Sequence, residues 1–158
     1  MNGIKRLQQE FKQCNKDPNP FYSVDIVNNN LFEWDFIIFG PPDTLYEGGI
    51  FKGKMVFEQS YPMKPPSVKF ISRFLHPNIY PDGRVCISIL HEGVDQYQYE
   101  HVSERWNPSQ GVNSIMLSII SMLSDPNPNS PANVDASKLF SENYEEYKRI
   151  IYSDVSKT

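Results

Sequence analysis

The chain has only two cysteines, no long apolar run and no surplus of positive charge, and each of these absences excludes a class of protein. Cys14 and Cys86 are too far apart for a CxxC redox pair, and two cysteines in 158 residues indicate no disulfide framework. Free thiols are typical of the cytosol and nucleus. No stretch reaches the roughly 18 apolar residues of a membrane span. The net charge of −4 gives no overall attraction to nucleic acid or anionic lipid.

Length and composition predict a single folded domain that spans residues 1–158. A chain of this size can bury roughly two-thirds of the surface that it exposes when unfolded, which is enough for a core without disulfides or metals. Aromatic residues make up 13% and charged residues 22% of the sequence, which is typical of a folded globule rather than a disordered chain. The N-terminus lacks the apolar segment of a signal peptide. We therefore expect a soluble protein with no linker that divides it.

Hydrophobic periodicity predicts one helix followed by four strands. An amphipathic helix is expected over residues 4–15, because apolar side chains fall at helical spacing at Ile4, Leu7, Phe11 and Cys14. Alternating apolar and polar residues predict strands at 22–26, 32–38 and 50–57, and a short one around Val68 and Phe70. The third strand would direct Lys52 and Lys54 to one face and its apolar residues to the other, namely Phe51, Met55 and Phe57. Consecutive short strands joined by turns favour an antiparallel meander.

The periodicity disappears between residues 71 and 109 and then returns as helices. A connection this long inside a compact domain is uncommon and is often functional. Helical spacing from Val112 to Leu123 predicts a nearly apolar helix that lies in the core. A last helix is expected to begin near Asn133, with an outer pair between Glu145 and Arg149 and an inner face of Phe140, Tyr144, Tyr147 and Ile151. The predicted fold class is α+β: an N-terminal helix, a four-stranded antiparallel meander, an irregular region suited to a functional site, and C-terminal helices.

The segment HPNIYPDGRVC, residues 76–86, places a side-chain amide at Asn78, eight residues before Cys86. A thiolate is the nucleophile that carries an acyl group as a thioester. An amide donor stabilises the oxyanion that forms when the acyl carbon becomes tetrahedral. Pro77 stiffens the approach to Asn78, and the turn signal at residues 81–83 would fold Asn78 back towards Cys86. By itself the pattern is weak, because a lone cysteine is more often inert and buried than catalytic.

Five ordered segments resemble the landmarks of the ubiquitin-conjugating enzyme family. The segment HPNIYPDGRVCISIL is similar to the family's active-site segment, and the other four are GPPDTLYEGG, YPMKPP, RWNP and SDPNP. They occur in the family's order, and the resemblance as a whole runs from about Ile4 to the last helix, so it covers nearly the whole chain. The fold that it implies is the ubiquitin-conjugating fold, which agrees with the α+β organisation predicted from periodicity.

The resemblance implies a role for each residue of the site. Cys86 would receive the carboxyl end of ubiquitin as a thioester from an activating enzyme and pass it to a lysine amine. Asn78 matches an asparagine that either stabilises the oxyanion or supports the nearby loop, and His76 and Pro77 match structural positions. Ser130 matches a polar gate residue that is aspartate in many members, and a serine cannot accept the amine's charge as a carboxylate would. No bound cofactor or metal is implied, because the activating enzyme consumes the ATP.

Residues 91–104 contain no lysine or arginine and four acidic residues, namely Glu92, Asp95, Glu100 and Glu104. Such a run is usually a solvated loop. The resemblance implies more, because most members have a shorter connection here and one subclass has an insertion beside the cysteine. The segments CISILHE, ERW, SMLSDPN and SPANVDASK are most similar to the G-type of this long-acidic-loop subclass. The subclass is associated with proteasomal degradation through chains linked by lysine 48 of ubiquitin, and an acidic loop would attract a lysine-rich acceptor ubiquitin.

The resemblance also implies surfaces for an activating enzyme and for a ubiquitin ligase of the RING type. Lys5 and Arg6 lie in the helix that contacts the activating enzyme in the family. Met63 falls in one ligase-contact loop, and Pro108 and Ser109 fall in the second. From sequence alone, Met63 is equally consistent with the core. We expect a monomer that binds neither nucleic acid nor membrane directly and that is cytoplasmic, with nuclear residence or recruitment to the endoplasmic reticulum by a partner as further possibilities.

Other classes of function are the alternatives. A non-catalytic ubiquitin-binding scaffold of the same fold would lack the cysteine, whereas Cys86 and Asn78 are both present. A cysteine hydrolase needs a base that a third group orients, and a thiol redox enzyme needs a resolving cysteine. Neither is evident, although His91 and His101 are candidates for a local base. Conjugation of another ubiquitin-like modifier is the nearest rival, and the acidic loop favours ubiquitin.

Overall fold

The computed structural model describes residues 3–93, 101–127 and 131–158. In these residues α1 precedes a four-stranded antiparallel sheet whose order, β1-β2-β3-β4, follows the chain. The helices are α1 (Gly3–Lys16), α2 (Val112–Met122), α3 (Val134–Glu142) and α4 (Tyr144–Ser156). The strands are β1 (Tyr22–Val27), β2 (Asn30–Phe39), β3 (Ile50–Val56) and β4 (Ser67–Phe70), and short 3-10 helices form at Ser88–Leu90 and Val102–Glu104. The predicted α+β class and meander are therefore confirmed. None of the described helices has the length and apolarity that crossing a membrane requires.

The sheet buries one face in the core and exposes the other, as the alternation predicts. On β3, Phe51 and Met55 are buried and Lys52 is exposed. Gly53 pairs with Phe36 of β2, and a Cβ at this glycine would lie 2.2 Å from the Phe36 ring. The missing side chain therefore makes room for the ring of Phe36, which packs edge-on against Phe70 of β4 with 5.3 Å between centroids.

Helix α1 forms where the periodicity predicts it, but its buried stripe is rotated slightly from the expected one. Leu7 is fully buried, and Phe11 and Cys14 are partly buried against the core. Ile4 was expected on the same face and is instead 48% exposed. Because the buried stripe passes through Gly3 and Leu7, Ile4 falls at its edge on a helix of 3.6 residues per turn.

The prediction of one long last helix was wrong, because the chain breaks at Asn143 into α3 and α4. The Asn143 side chain accepts a hydrogen bond from the backbone N–H of Glu146 at 3.3 Å and so caps the start of α4. The break leaves Tyr144, predicted on the inner face, 45% exposed. The predicted pair of Glu145 with Arg149 was also wrong. Arg149 instead donates to Glu146 at 2.8 Å and Glu145 contacts Lys148 at 3.2 Å, both at i,i+3 spacing.

Helix α2 lies in the core along one side only. Its buried residues are Val112, Ile115, Met116, Ile119 and Met122. Leu117, on the opposite side, is 44% exposed, and the small residues Ser118 and Ser121 line an open groove. The prediction of a nearly apolar core helix is therefore correct for one face, while the other face remains open.

A tight turn at residues 80–84 reverses the chain between Ile79 and Val85, just before Cys86. The N–H of Tyr80 donates to the Arg84 carbonyl at 2.9 Å, and the N–H of Gly83 donates to the Tyr80 carbonyl at 2.8 Å. Gly83 adopts a φ of +98°, and a Cβ there would lie 2.1 Å from the carbonyl oxygen of Phe70. Val85 then donates from its N–H to the Val68 carbonyl at 3.0 Å. These contacts fix the cysteine segment to the edge of the sheet.

Candidate active site

Cys86 is a partly buried thiol between two rigid pieces of backbone. It follows Val85, which is buried and bridges to Ile79, and it precedes the 3-10 helix Ser88–Leu90. The Cys86 N–H donates to the carbonyl oxygen of Asn78 at 2.9 Å. The turn therefore brings Asn78 beside Cys86, as the sequence predicted. A thiol that is neither fully buried nor disulfide-bonded remains available as a nucleophile.

Cys86 opens onto a groove of about 560 Å³ that runs along α2. One side is formed by the cysteine segment, and the other by Leu117, Ser118 and Ser121 of α2. Glu104 and Asp125 contribute the acidic groups of its lining. An open groove of this kind can admit an extended peptide end next to the thiol.

The side chain of Asn78 is joined to the backbone of Asn127 by two hydrogen bonds. Its Nδ2 donates to the Asn127 carbonyl at 2.9 Å, and its Oδ1 accepts from the Asn127 N–H at 2.8 Å. Asn78 is only 3% exposed, so this pair also satisfies a buried amide. Because a primary amide carries two N–H groups, one donor of Nδ2 is left over beside the groove. In this geometry Asn78 supports the loop that follows α2.

His76 is fully buried and links the backbone of Asn78 to the end of α2. Its Nδ1 accepts the backbone N–H of Asn78 at 3.0 Å, and its Nε2 lies 2.7 Å from the Met122 carbonyl. An imidazole with these partners is neutral and carries its proton on Nε2, where it donates to Met122. Burial lowers the pKa of His76 from 6.5 to about 4. Pro77 adds to this connection, because its carbonyl accepts the N–H groups of Ala132 and Asn133 at 2.8 and 3.0 Å.

His91 lies close to the Cys86 thiol, although the sequence analysis gave it only as a candidate base. Its Nε2 is 3.6 Å from Cys86 Sγ, which is hydrogen-bond distance for a sulfur. The 3-10 helix Ser88–Leu90 turns the chain back, so the imidazole five residues later faces the cysteine. His101, the other candidate base, lies on the surface with its Nδ1 2.7 Å from Ser103 Oγ.

Tyr80 is a polar neighbour of the thiol that the motif comparison missed. The charge of Cys86, followed by burial, raises the pKa of the Tyr80 hydroxyl. The Arg84 guanidinium lies over the Tyr80 ring, 4.4 Å from its centroid. The signal was present in the sequence as the tyrosine that opens the turn of residues 80–84.

Three of the predicted site residues lie outside the described residues: Asp95, Glu100 and Ser130. Of the other acidic-loop residues, Glu104 lines the groove and Glu92 is exposed. Arg105 holds the start of this loop, because its guanidinium donates to the carbonyls of Glu92 and Gly93 at 2.6 and 2.8 Å. The two described ends of the acidic segment, at Gly93 and at Glu104–Arg105, therefore lie close together.

Met63 is 69% exposed, so it lies on the surface rather than in the core. Pro108 and Ser109 are exposed as well, and Lys5 is exposed on α1. Arg6 has a different environment, because its guanidinium donates to the carbonyls of Pro108 and Gln110 at 2.7 and 2.6 Å. Arg6 therefore braces the loop of Pro108 and Ser109 from inside.

Glu10 joins that loop to the one that carries Met63. Its carboxylate accepts from Arg6 Nε at 3.0 Å, from the Tyr61 hydroxyl at 2.5 Å and from the Val112 N–H at 2.6 Å. Burial, followed by the negative charge of Glu10, raises the pKa of the Tyr61 hydroxyl, so it remains a donor. Within residues 3–93, 101–127 and 131–158, no cluster of three or more His, Cys, Asp or Glu side chains is arranged to hold a metal ion.

The fold and site together define a class of protein: an α+β domain that presents a thiol beside an open groove, suited to carry an acyl group. The model of the family described as ubiquitin-conjugating enzyme matches residues 6–154. The chain therefore belongs to the ubiquitin-conjugating enzyme (E2) family.

Individual relatives can be aligned with nearly the full length of this chain. The chain is 54% identical over 154 residues to ubiquitin-conjugating enzyme E2 13 of Arabidopsis thaliana, an alignment that covers 96% of this chain and 93% of the relative. It is 46% identical over 157 residues to human ubiquitin-conjugating enzyme E2 G2, covering 98% and 95%. It is 45% identical over 157 residues to the ubiquitin-conjugating enzyme of African swine fever virus, covering 96% and 71%. The predicted resemblance to the G-type is confirmed.

Family membership fixes the reaction class and the kinds of partner. The protein is an E2 enzyme of the ubiquitin conjugation pathway. Its partners are ubiquitin, a ubiquitin-activating enzyme and a ubiquitin ligase, and the family uses no bound cofactor.

The buried imidazole of His76 makes a prediction about stability and pH. The unfolded chain takes up a proton here as the pH falls below 6.5, whereas the native state resists protonation until about pH 4. The contribution of His76 to stability is therefore present above pH 6.5 and is lost as the pH falls through 4, by up to about 3 kcal/mol. In urea unfolding at several pH values, His76→Gln should be less stable than wild type at pH 7 but flatter between pH 6.5 and 4. His101→Gln is the control and should keep the wild-type slope. An unchanged slope in His76→Gln would contradict the assignment.

Proposed function

We propose that Cys86 is the residue that carries ubiquitin as a thioester. The observation that supports this most is the partly exposed Cys86 thiol at the groove, with Asn78 hydrogen-bonded to its backbone, in a chain of the E2 family. Cys14 is the other thiol, and burial raises its pKa, which disfavours the reactive thiolate. The domain of residues 1–158 acts as one unit and as a monomer.

Charging and transfer are two acyl-transfer steps at the same sulfur. In the first, the Cys86 thiolate attacks the activated carboxyl of ubiquitin, a thioester bond forms, and the bond to the activating enzyme's leaving group breaks. In the second, a neutral lysine amine attacks the thioester carbon, an amide bond forms, the C–S bond breaks to release the thiolate, and the proton lost by the nitrogen passes to water. Desolvation in the groove favours the neutral amine, so the second step can proceed without a dedicated base.

Asn78 contributes as a support for the loop that follows α2 and, through its remaining N–H, as a donor near the oxyanion. The support role follows from its two hydrogen bonds to Asn127. The donor role follows from its position in the groove lining beside Cys86. Loss of one oxyanion donor lowers the rate by about 10²- to 10³-fold in well-studied enzymes. Ser130 stays a candidate gate residue, of lesser weight because it is not a carboxylate.

A RING-type ligase is the proposed partner of the exposed Met63 and of the loop of Pro108 and Ser109. An exposed methionine adapts readily to an apolar groove on a partner. Lys5 on α1 is proposed to contact the activating enzyme, and Arg6 to position the second ligase loop through Pro108. We place the protein in the cytoplasm, with the nucleus or the endoplasmic reticulum surface reached through such partners.

The product is proposed to be ubiquitin chains linked through lysine 48, which mark substrates for the proteasome. The acidic residues Glu92, Asp95, Glu100 and Glu104 are proposed to attract the basic surface of an acceptor ubiquitin. Similarity to human E2 G2 supports placing the chain in the subclass for which this linkage is expected.

The assignment of Cys86 predicts the outcome of a charging assay. Protein, ubiquitin, activating enzyme and ATP should give an adduct that disappears when the gel sample is reduced. The adduct should be absent in Cys86→Ala and unchanged in Cys14→Ala, because only the first substitution removes the acyl acceptor. The assignment would be contradicted if Cys14→Ala formed no adduct, or if Cys86→Ala still formed one. An adduct with another ubiquitin-like protein but not with ubiquitin would overturn the proposed modifier.

The acidic loop predicts a selective loss of chain formation. Neutralising its four carboxylates to the matching amides should slow the joining of two ubiquitins while charging of Cys86 stays at the wild-type rate. Because the attraction is electrostatic, the difference from wild type should shrink as salt is added. Replacement of lysine 48 of ubiquitin by arginine should abolish the remaining chains.

A matched control removes four carboxylates that are exposed away from the groove, at Glu47, Asp135, Glu142 and Glu145. This variant has the same change of net charge, so it should form chains at the wild-type rate. Equal losses in both variants would assign the effect to total charge and would contradict a local role of the loop.

A further inference from the structure

Glu10 of α1 caps the N-terminus of a different helix, α2. The N-cap residue of α2 is Gly111, which has no side chain to accept a hydrogen bond, and the first turn of α2 contains no acidic residue. Glu10 fills this role, because its Oε1 accepts the backbone N–H of Val112 at 2.6 Å. A carboxylate at a helix N-terminus is stabilised by the helix dipole. A Cβ at Gly111 would lie 2.2 Å from Oε1, so the glycine makes room for the carboxylate.

The other carboxylate oxygen of Glu10 accepts two more hydrogen bonds. Its Oε2 accepts from the Tyr61 hydroxyl at 2.5 Å and from Arg6 Nε at 3.0 Å, so three donors converge on one carboxylate. A carboxylate can only accept, whereas the amide of a glutamine would oppose one of these donors with an N–H group. The side chain of Glu10 is only 15% exposed, so water would not fully replace a lost partner. The position therefore requires the charge of glutamate as well as its shape.

Through these bonds Glu10 joins the two exposed loops that are proposed to contact a ligase. Tyr61 begins the loop of Met63, so the hydrogen bond from its hydroxyl ties that loop to α1. Arg6, which Glu10 orients, donates to the two backbone carbonyls on either side of Ser109, at 2.7 and 2.6 Å. A partner that contacts both loops binds more tightly when their spacing is already fixed, because no ordering cost then opposes binding.

A second link joins the same two loops. Trp106 Nε1 donates to the Pro62 carbonyl at 3.0 Å, and the Trp106 ring lies 5.8 Å from the ring of Tyr61, between centroids. This link uses an indole and a backbone carbonyl, so it does not depend on the charge of Glu10. We therefore expect the loops to stay folded when that charge is removed, while their spacing becomes less well defined.

Glu10 lies at the opposite end of α2 from the link that holds Asn78. Helix α2 runs from Val112 to Met122, and eleven residues at a rise of 1.5 Å span about 16 Å. At its far end, His76 Nε2 lies 2.7 Å from the Met122 carbonyl, independently of Glu10. A substitution at Glu10 should therefore act on the two exposed loops and leave the groove at the thiol unchanged.

We propose that Glu10 is a positioning residue for ligase-dependent transfer. By accepting three hydrogen bonds, its carboxylate fixes the loop of Met63 relative to the loop of Pro108 and Ser109, and so determines the affinity for a RING domain. In this role Glu10 touches neither ubiquitin nor the thioester, so the bond changes at Cys86 proceed without it. The proposal rests on the ligase surface given under the proposed function.

The test follows the discharge of a purified ubiquitin thioester to free lysine at increasing concentrations of one RING domain. This RING domain is chosen from a panel as one that accelerates the wild-type reaction. Glu10→Gln keeps the size of the side chain and removes its charge. The RING concentration that gives the half-maximal rate should rise by about fivefold or more, the lower end of typical coupling between sites. The rate at saturating RING domain and the rate without it should both stay at the wild-type value.

Glu146→Gln is the matched control. It also removes one carboxylate, which accepts two hydrogen bonds from Arg149 on the surface of α4. The change of net charge is the same, and the half-maximal RING concentration should equal that of wild type. An equal rise in both variants would assign the effect to total charge and would contradict a role of Glu10 in positioning.

Tyr61→Phe is a second test, because it removes one of the three donors and keeps the ring. It should raise the half-maximal RING concentration by a smaller factor than Glu10→Gln. In the variant with both substitutions the effects should be less than additive, because both break the same hydrogen bond. Fully additive effects would contradict the proposal. If Glu10→Gln does not fold in urea unfolding, Tyr61→Phe decides the question, and an unchanged half-maximal concentration would overturn the role.

The outcomes separate this proposal from the proposed function. If wild type forms no thioester, or if no RING domain of the panel accelerates its discharge, the proposed function is wrong and the role of Glu10 falls with it. If the RING domain accelerates wild type and Glu10→Gln with the same half-maximal concentration, only the role of Glu10 is wrong. Slow discharge of Glu10→Gln without the RING domain would also overturn the role, because the substitution would then act on the site of Cys86.

Discussion

A hydrogen-bonded link from the buried side chains of His76 and Asn78 to the backbone of Asn127 is the constraint on which the rest of the site depends. His76 joins the backbone of Asn78 to the carbonyl of Met122 at the end of α2, and Asn78 joins its own segment to Asn127. Removing one partner would leave buried donors or acceptors unpaired, at a cost of about 1–3 kcal/mol for each group. The sequence therefore holds three separate segments in one arrangement: the cysteine segment, the end of α2 and the loop after it.

This link determines the geometry of the thiol because Cys86 is attached to it directly. The Cys86 N–H donates to the carbonyl of Asn78, so any shift of Asn78 moves the sulfur relative to the groove. Met122 and Asn127 line that groove as well. Acyl transfer is sensitive to displacements of about 1 Å, so a rigid connection between the Cys86 thiol and the groove suits the proposed chemistry. At the other end of α2, Glu10 joins α1 to Tyr61 and Val112. It gives a similar rigidity to the exposed loop of Met63 and to the loop of Pro108 and Ser109.

Local sequence patterns predicted most helices and strands, and they failed where a contact between distant residues determines the structure. The strand faces followed from alternation, as with Phe51 and Lys52 on β3. The break at Asn143 had only a weak local signal, since no proline or glycine marks it and the capping side chain looks like any helical asparagine. For the site, the motif predicted that Cys86 and Asn78 lie together, and the structure places them next to each other. The pairing of Asn78 with Asn127 spans 49 residues and no periodicity reports it. The approach of His91 to the sulfur depends on a 3-10 helix of three residues, too short for a periodic pattern.

The central claim is that Asn78 holds the loop after α2 in place, and amide hydrogen exchange of Asn127 tests it most directly. In wild type this N–H is bonded to Asn78 Oδ1 at 2.8 Å and should exchange slowly. In Asn78→Ala the acceptor is gone, and we expect exchange at Asn127 to be about tenfold faster or more, while the amides of the β2–β3 pairing keep their wild-type rates. An Asn127 amide that exchanges at the same rate in both proteins would contradict the account, because the loop would then be held by something other than Asn78.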